Sequence, residues 1–465
     1  MNIVGWVSPM GVTQHREFTC WVTALTRLTQ PTRNLMPRSS LSKLLPLLAL
    51  LHTVHCQAAE WSAEPKISVK SGYNDNIRLT TAEHDSVWET DVTPSVKFGA
   101  ASENSGLFGY ADVSVRRFFG GSGRESSDTL DREDAHFNTN AYTRTPRNEF
   151  TGLINFTRDS TLDSEFDETG NVIDERATRI RITIGPGWSH NLSELMRLDT
   201  NYRFTRVDFS DDPGIDDNIE YDYHQVSGSL IRQFTPKVQA TLASSYSSYQ
   251  PETNQNSNTM NVQVGIRRDF SETLTTDWLA GMRKTNSDTA ELKPQGFCQG
   301  ADPGAKFPQC TGGFPVVTGS SINKGDTNDT GTVYSASITK LLESGKLSLS
   351  ATRSSSPASD GDLLDTTRFI FTGEHRFTEA LRVSLRAEHS KIETISSATA
   401  GLNNRDDRTL YRVVPRVSWR WSREWEISGY YEYANKDEDN VSKDATRNAV
   451  YLSLSYRPDK LFISR

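Results

Sequence analysis

From Pro65 to Tyr456 apolar and polar residues alternate with a period of two. Ile180, Ile182 and Ile184 are interleaved with Arg181 and Thr183. Val262, Val264 and Ile266 alternate with Gln263 and Arg267. Leu381, Val383, Leu385 and Ala387 alternate with Arg382, Ser384, Arg386 and Glu388, and Val450, Leu452, Leu454 and Tyr456 with Tyr451, Ser453 and Ser455. This alternation predicts strands with one apolar and one polar face. The runs last roughly 9 to 16 residues, against about 5–6 in globular sheets, a length that suits a tilted strand crossing a bilayer. Eighteen strands are expected, starting near Ile67, Val87, Leu107, Phe137, Phe150, Ile180, Leu198, Tyr223, Val238, Val262, Trp278, Val333, Leu347, Phe369, Leu381, Val413, Ile427 and Val450. Sixteen is the next best count. The predicted fold is all-β, a transmembrane antiparallel up-and-down β-barrel, and an even strand number puts both chain ends in the periplasm.

The connections fall into two classes, as such a barrel requires. The tight class is Leu192-Ser193-Glu194-Leu195, Phe234-Thr235-Pro236-Lys237, Phe270-Ser271-Glu272-Thr273, Phe377-Thr378-Glu379-Ala380 and Trp421-Ser422-Arg423-Glu424. Each has a large apolar residue, Ser or Thr, two variable residues and a strand restart, so the repeat unit is the hairpin. The longer class is polar: 119–130, 160–176, 210–218, 288–328 and 394–407. Tight turns are expected to face the periplasm and long loops the exterior. Phe234, Phe270, Phe377, Trp419, Trp421 and Trp425 gather at tight turns, and Tyr246, Tyr249, Tyr430, Tyr431 and Tyr433 toward the loop ends. These read as two interfacial aromatic girdles.

Composition agrees. The 465 residues are 35% hydrophobic and 24% charged, with a mean hydropathy of −0.58. No stretch approaches the about 20 apolar residues of a spanning helix, but a barrel strand meets lipid only at every second position. The net charge of −8 comes with no basic block, so nucleic acid is not an expected partner. Acidic runs at Asp211, Asp212, Asp216, Asp217 and at Asp437, Glu438, Asp439 read as solvated loop tips. Divalent cations bridging lipopolysaccharide are the sharper alternative, although neither run has the pattern of an EF-hand loop.

The amino terminus reads as an export signal. Arg38 and Lys43 precede the apolar core Leu44–Leu51, and small residues Cys56 and Ala58 stand two apart, so cleavage is expected after Ala58 or Ala59. Residues 1–58 are then a presequence, with Met36 as an alternative start, and 59–465 one barrel. Cys56 could mark a lipoprotein, but His55 before it is too large for the usual lipobox. Cys298 and Cys310 remain in the mature chain and are expected to pair as a disulfide closing a polar loop. No metal site and no cofactor are expected.

The segment Val69-Lys70-Ser71-Gly72-Tyr73-Asn74-Asp75-Asn76-Ile77-Arg78-Leu79 resembles the early Tyr-Asp-Asp-Asn-Ile/Val motif of porin-like outer-membrane barrels associated with bacterial exopolysaccharide gene clusters. Asn74 stands where the motif has its first Asp. The resemblance implies an outer-membrane barrel of a Gram-negative bacterium that helps exopolysaccharide cross or reach that membrane, with no catalytic residues. Read from its residues alone, Gly72–Ile77 is a first strand ending in an Asx-rich turn. Ala449–Tyr456 resembles the C-terminal signal read by the barrel-assembly machinery, but nine residues follow Tyr456, including Phe462, so either aromatic could be the one recognised.

There is no Gly-x-Ser-x-Gly elbow, His-Glu-x-x-His pair or phosphate loop, and no enzyme is expected. His389 follows Glu388, yet strand neighbours point to opposite faces. His224 and Asp222 share a face without a nucleophile. The polar phase is more informative. Arg382, Arg386, Glu388, Arg412, Arg416 and Arg420 fall on it, as do Arg181 and Arg267, and all eight are candidate lumen residues. Mutual salt bridges filling the barrel are one reading. An arginine ladder that attracts an anionic polymer or solute is the other, since guanidinium binds carboxylate and phosphate bidentately. The leading functional expectation is a porin-like channel or export component. Its expected partners are outer-membrane lipid and lipopolysaccharide, the assembly machinery, anionic polysaccharide and periplasmic export proteins. The alternatives are a structural or adhesive barrel with a plugged lumen, and a soluble secreted all-β protein.

Overall fold

The computed structural model describes residues 60–168, 176–210, 218–252, 256–299, 314–358, 362–396, 407–438 and 443–463, with the backbone alone at 124, 128, 165–168, 289–299, 314–327, 396 and 463. The presequence with Ala58 and Ala59, Cys310, and the acidic run 211–217 lie outside them; Cys298 is described by its backbone only.

The strands are β1 (Glu60–Asn74), β2 (Val87–Ala101), β3 (Ser105–Phe119), β4 (Arg132–Arg144), β5 (Asn148–Ser160) and β6 (Thr178–Ser193). Then come β7 (Met196–Ser210), β8 (Tyr221–Thr235), β9 (Val238–Pro251), β10 (Ser257–Ser271), β11 (Leu274–Gln299) and β12 (Phe314–Leu342). The series ends with β13 (Gly345–Pro357), β14 (Leu363–Arg376), β15 (Leu381–Ser396), β16 (Arg408–Arg420), β17 (Trp425–Glu438), β18 (Ala445–Tyr456) and the short β19 (Leu461–Ile463). β1 to β18 each pair antiparallel with their sequence neighbours. β1 pairs back to β18 from Ile67↔Tyr456 to Asn74↔Ala449 and closes the ring. β19 resumes the course of β18 along the lower part of β1, with Trp61 opposite Ile463. The barrel therefore has eighteen staves. The residues after Tyr456 lengthen the last one, and Lys460 there meets Glu64 at 2.8 Å.

Register fixes which residues share a face, because directly opposed residues in an antiparallel pair point the same way. One face is apolar and uncovered all round the ring. Val264 is 63% exposed, and Ile266, Trp278, Met282, Leu349, Val450 and Leu452 on the same face are exposed with it. Such an apolar band, on a sheet with no free edge, is what lipid requires. The protein is an outer-membrane β-barrel, and the soluble alternative is set aside because this band would stand in water. Phe234, Phe270 and Trp419 are exposed on the lipid face at the tight-turn end, where Trp421 stacks on Trp425 at 5.9 Å between centroids and Trp425 meets Tyr456 at 4.7 Å. Phe377 is exposed in its own turn. Of the loop-end tyrosines, Tyr246, Tyr431 and Tyr433 share the lipid face, whereas Tyr249 and Tyr430 face inward.

One connection differs from expectation. The polar stretch 288–328 continues β11 and β12 as a paired hairpin for most of its length, from Asp288↔Asp326 to Gln299↔Phe314, with a bulge at Gln295/Gly296. Above the membrane water wets both faces of a strand, so the alternation that reveals strands elsewhere has no cause there.

Several loop-side segments turn inward. In 120–131 lies a short helix, α1 (Ser127–Leu130), and after β5 comes α2 (Thr161–Glu168). Leu130 of α1 and Leu162 of α2 pack with Ile77, Val87 and Phe118. Leu79 packs on Leu410, Ala434 and Ala445 of β16, β17 and β18. Val87, Phe118, Leu410, Ala434 and Ala445 all share the polar, inner face by register, so these small apolar clusters sit inside the mouth.

Candidate functional site

The inner face of β14 to β18 is the arginine wall. Of the eight candidate residues, the fold brings six together: Arg382, Arg386 and Glu388 on β15, and Arg412, Arg416 and Arg420 on β16, with Glu388 directly opposite Arg412. Arg181 on β6 and Arg267 on β10 have the inner phase too but stand on other sectors of the ring.

Three carboxylates of the wall are each shared between two cations. Glu374 lies 3.4 Å from Arg382 and 3.8 Å from Arg376. Glu388 lies 2.8 Å from Arg386 and 2.9 Å from Arg368. Glu432 lies 2.9 Å from Arg412 and also pairs with Arg447. Arg420 reaches Glu426 only at 3.7 Å. Arg416 meets no carboxylate among the described residues and lies over the Tyr430 ring, 4.5 Å from its centroid. Tyr430 stacks on Tyr451 at 4.7 Å, and Lys70 lies over Tyr451 at 4.9 Å. Two stacked rings are thus flanked by a cation on either side across four strands. Gly72 makes room for this row, since a Cβ there would fall 2.1 Å from the Tyr451 ring. Among the described residues of this wall the arginines other than Arg416 are braced by carboxylates, and cations exceed carboxylates.

A second charged cluster stands toward the mouth on β1 to β4. Lys70 pairs with Glu89 at 2.6 Å, and Arg116 lies 3.6 Å from Asp91 and 3.9 Å from Asp134. Asp163 of α2 pairs with both Arg116 and Arg132, so α2 is tied to the inner wall. Its side chain keeps 43% of its surface accessible. Burial alone would raise its carboxyl, but Arg132 and Arg116 hold it far below the usual carboxylate range. Across the mouth, Arg283 on the inner face of β11 pairs with Asp365 at 2.6 Å. Alternation would set Asp365 on the outer face of β14 with Phe369 and Phe371, yet Leu363, Leu364, Asp365 and Thr366 are all buried. This end of β14 is covered on both faces and lies inside the rim.

Reading strand phase finds the arginines. Their partners Glu374, Arg368, Glu432 and Arg447 carry the same signal and are recoverable from it. Asp163 and Asp365 are not, because nothing local says that a loop helix or a strand end turns inward. The resembling motif proves to be a clasp on the closing seam. Asn74 Oδ1 accepts the Asn76 N–H at 3.0 Å, an Asx turn, and Asn76 Nδ2 donates to the Thr446 carbonyl at 3.0 Å. Asp75 accepts the Asn448 N–H at 2.6 Å and its side-chain amide at 2.8 Å. Among the described residues no cluster of His, Cys, Asp and Glu could hold a metal ion.

Neither a protein-family model nor a curated protein matches the sequence. Among solved structures the chain is similar to OccAB4 of Acinetobacter baumannii, with 12% identity and a TM-score of 0.41 over 87% of this chain and 99% of that one. It is similar to OpdK of Pseudomonas aeruginosa, solved with vanillate, with 9% identity and a TM-score of 0.41 over 86% and 99%. It is also similar to a loop L8 deletion mutant of OmpT, an outer membrane protein of Vibrio cholerae, with 8% identity and a TM-score of 0.36 over 86% and 100%. The architecture described above rests on this chain's own strand pairing.

Proposed function

We propose that the barrel is a porin-like channel that passes anionic solutes and serves in exopolysaccharide export. The observation that carries the channel reading is the arginine wall: Glu374, Glu388 and Glu432 are each shared by two arginines, so the inner face keeps a surplus of cations. A barrel of this strand number can enclose an aqueous channel, and charged lumen residues set its selectivity. The exopolysaccharide link is supported by the sequence resemblance at Gly72–Ile77. The purified protein in planar bilayers is expected to conduct with anion preference. Replacing Arg382, Arg386, Arg416 and Arg420 together by Ala should lower the anion-to-cation permeability ratio by roughly twofold or more. An unchanged ratio rejects the ladder.

A second reading, a structural barrel with a plugged lumen, is favoured by the packing of Ile77, Leu79, Leu130 and Leu162 inside the mouth. It predicts no conductance in the same bilayers.

A further inference from the structure

The wall across the ring from the arginines has different chemistry. β6 and β7 stand nine places from β15 and β16 in the eighteen-stave ring and so face them. Here the inner phase carries amides and hydroxyls: Asn201 on β7, Gln225 and Ser227 on β8, Ser245 on β9, and Asn261 and Gln263 on β10. Toward the tight-turn end this wall holds a recess of about 430 Å³, lined by Phe108, Asn140, Tyr142, Asn201, Arg203 and Gln225 among others. A second recess of about 250 Å³ adjoins it and shares Asn201, Gln225 and Ser227. The first alone is within the about 300–1,000 Å³ of small-molecule sites.

Two features call for an occupant. Phe108 projects from the inner face of β3, opposite Asn140, and is 51% exposed. An aromatic ring uncovered in a polar, wetted lumen leaves apolar surface in contact with water, which is unfavourable. Its only ring neighbour among the described residues is Tyr142, at 6.5 Å and tilted 54°, which leaves a face free. Beside it, the exposed Asn201 and Arg203 and the half-buried Gln225 present side-chain donors and acceptors to the recess. The one charge pair at the rim is self-contained, with Arg144 donating to Glu149 at 3.1 and 3.4 Å. Gly187 keeps the floor open, since a Cβ there would fall 2.4 Å from both Asn201 Oδ1 and Thr151 Oγ1.

We infer that this recess is a binding subsite for a pyranose segment of a saccharide chain passing through the lumen, an inference that rests on the channel reading above. A pyranose has a C–H face that covers an aromatic ring and a rim of hydroxyls, each both donor and acceptor. The amides of Asn201 and Gln225 are likewise both donor and acceptor, and Arg203 adds donors only. A purely apolar solute would leave these amides unpaired, and a small anion would leave Phe108 uncovered.

The probe is maltohexaose, used in two ways. In planar bilayers it should interrupt the current of the wild-type channel with resolvable dwell times, which shorten at least tenfold in Phe108→Ala and in the Asn201→Ala/Gln225→Ala pair. The dwell times should be unchanged in Thr90→Ala, on the lipid face of β2. Calorimetric titration in a sugar-free amine-oxide detergent should show the same at least tenfold loss of affinity. Equal dwell times in wild type and Phe108→Ala, or equal block by polyethylene glycol of the same mass, overturn the subsite while the conductance itself stands. Absence of conductance rejects the channel reading instead, and the calorimetric comparison then decides the subsite alone: a tenfold loss in the variants supports it and no binding overturns it. A heat-modifiable band on a denaturing gel verifies that each variant is folded.

Discussion

Asp163 shows how one side chain sets the shape of the lumen. α2 follows β5 as a loop segment, and among the described side chains the pairing of Asp163 with Arg116 and Arg132 holds it against the inner wall by charge. Its folded pKa is depressed, below the about 3.9 of an unfolded Asp. The stabilisation this represents is therefore fully present above that unfolded value and is lost only as pH falls through the folded one. Hydrogen exchange of the 161–164 amides, corrected for its intrinsic pH dependence, should stay constant from pH 8 to about pH 4.5. Asp163→Asn should raise it severalfold across that range. Wild-type exchange in the variant would show that Leu162, buried with Phe118 and Leu130, holds α2 unaided. This residue marks the limit of what the sequence reveals. Arg382 or Arg416 declares its face through its neighbours on the strand, whereas Asp163 is one acid among many in a polar stretch. Its role depends on two arginines brought to it by strand pairing.

At the scale of elements, legibility follows the solvent. Where lipid touches one face, alternation is strict, and the expected starts of β2, β9 and β15 at Val87, Val238 and Leu381 coincide with those observed. Where both faces are wet, as on the outer halves of β11 and β12, the contrast vanishes and paired strands read as loop. The seam between β1 and β18 was visible as a motif but not as a seam, because its partners Thr446, Asn448 and Tyr451 lie some 370 residues away. A barrel has one closing pair that no short turn tethers, so side-chain ties there act on closure itself. Asp75 satisfies both the backbone and the side chain of Asn448, and hydrogen bonds to a charged group contribute about 1.5–3 kcal/mol each. Asp75→Ala should lower the temperature at which the compact band gives way to the unfolded one on a gel, and should slow refolding into detergent. Thr90→Ala on the lipid face of β2 should change neither. If the two variants behave alike, the clasp contributes nothing to closure.

For the whole molecule, the closed ring turns a one-dimensional alternation into a lumen with two unlike walls. Cations gather on β14 to β18, and opposite them stands a wall rich in amides and hydroxyls on β6 to β10, with Arg181 and Arg203 among them and the uncovered ring of Phe108 at its edge. The two walls act over different distances. Hydrogen bonding and ring stacking need contact and are indifferent to salt. The field of the arginines reaches about 10 Å at 0.1 M ionic strength and about 3 Å at 1 M. It is already reduced by Glu374, Glu388 and Glu432, so what remains is a modest surplus seen through water. The anion preference should therefore be clear in 0.1 M potassium chloride and nearly absent in 1 M, while maltohexaose dwell times should differ little between the two. Reversal potentials under a fixed salt ratio at low and high total concentration measure the first, and single-channel block measures the second. A preference that survives 1 M salt would mean that anions are selected by direct contact at a constriction, where Arg116, Arg132 and Asp163 crowd the mouth, rather than by the field of the wall.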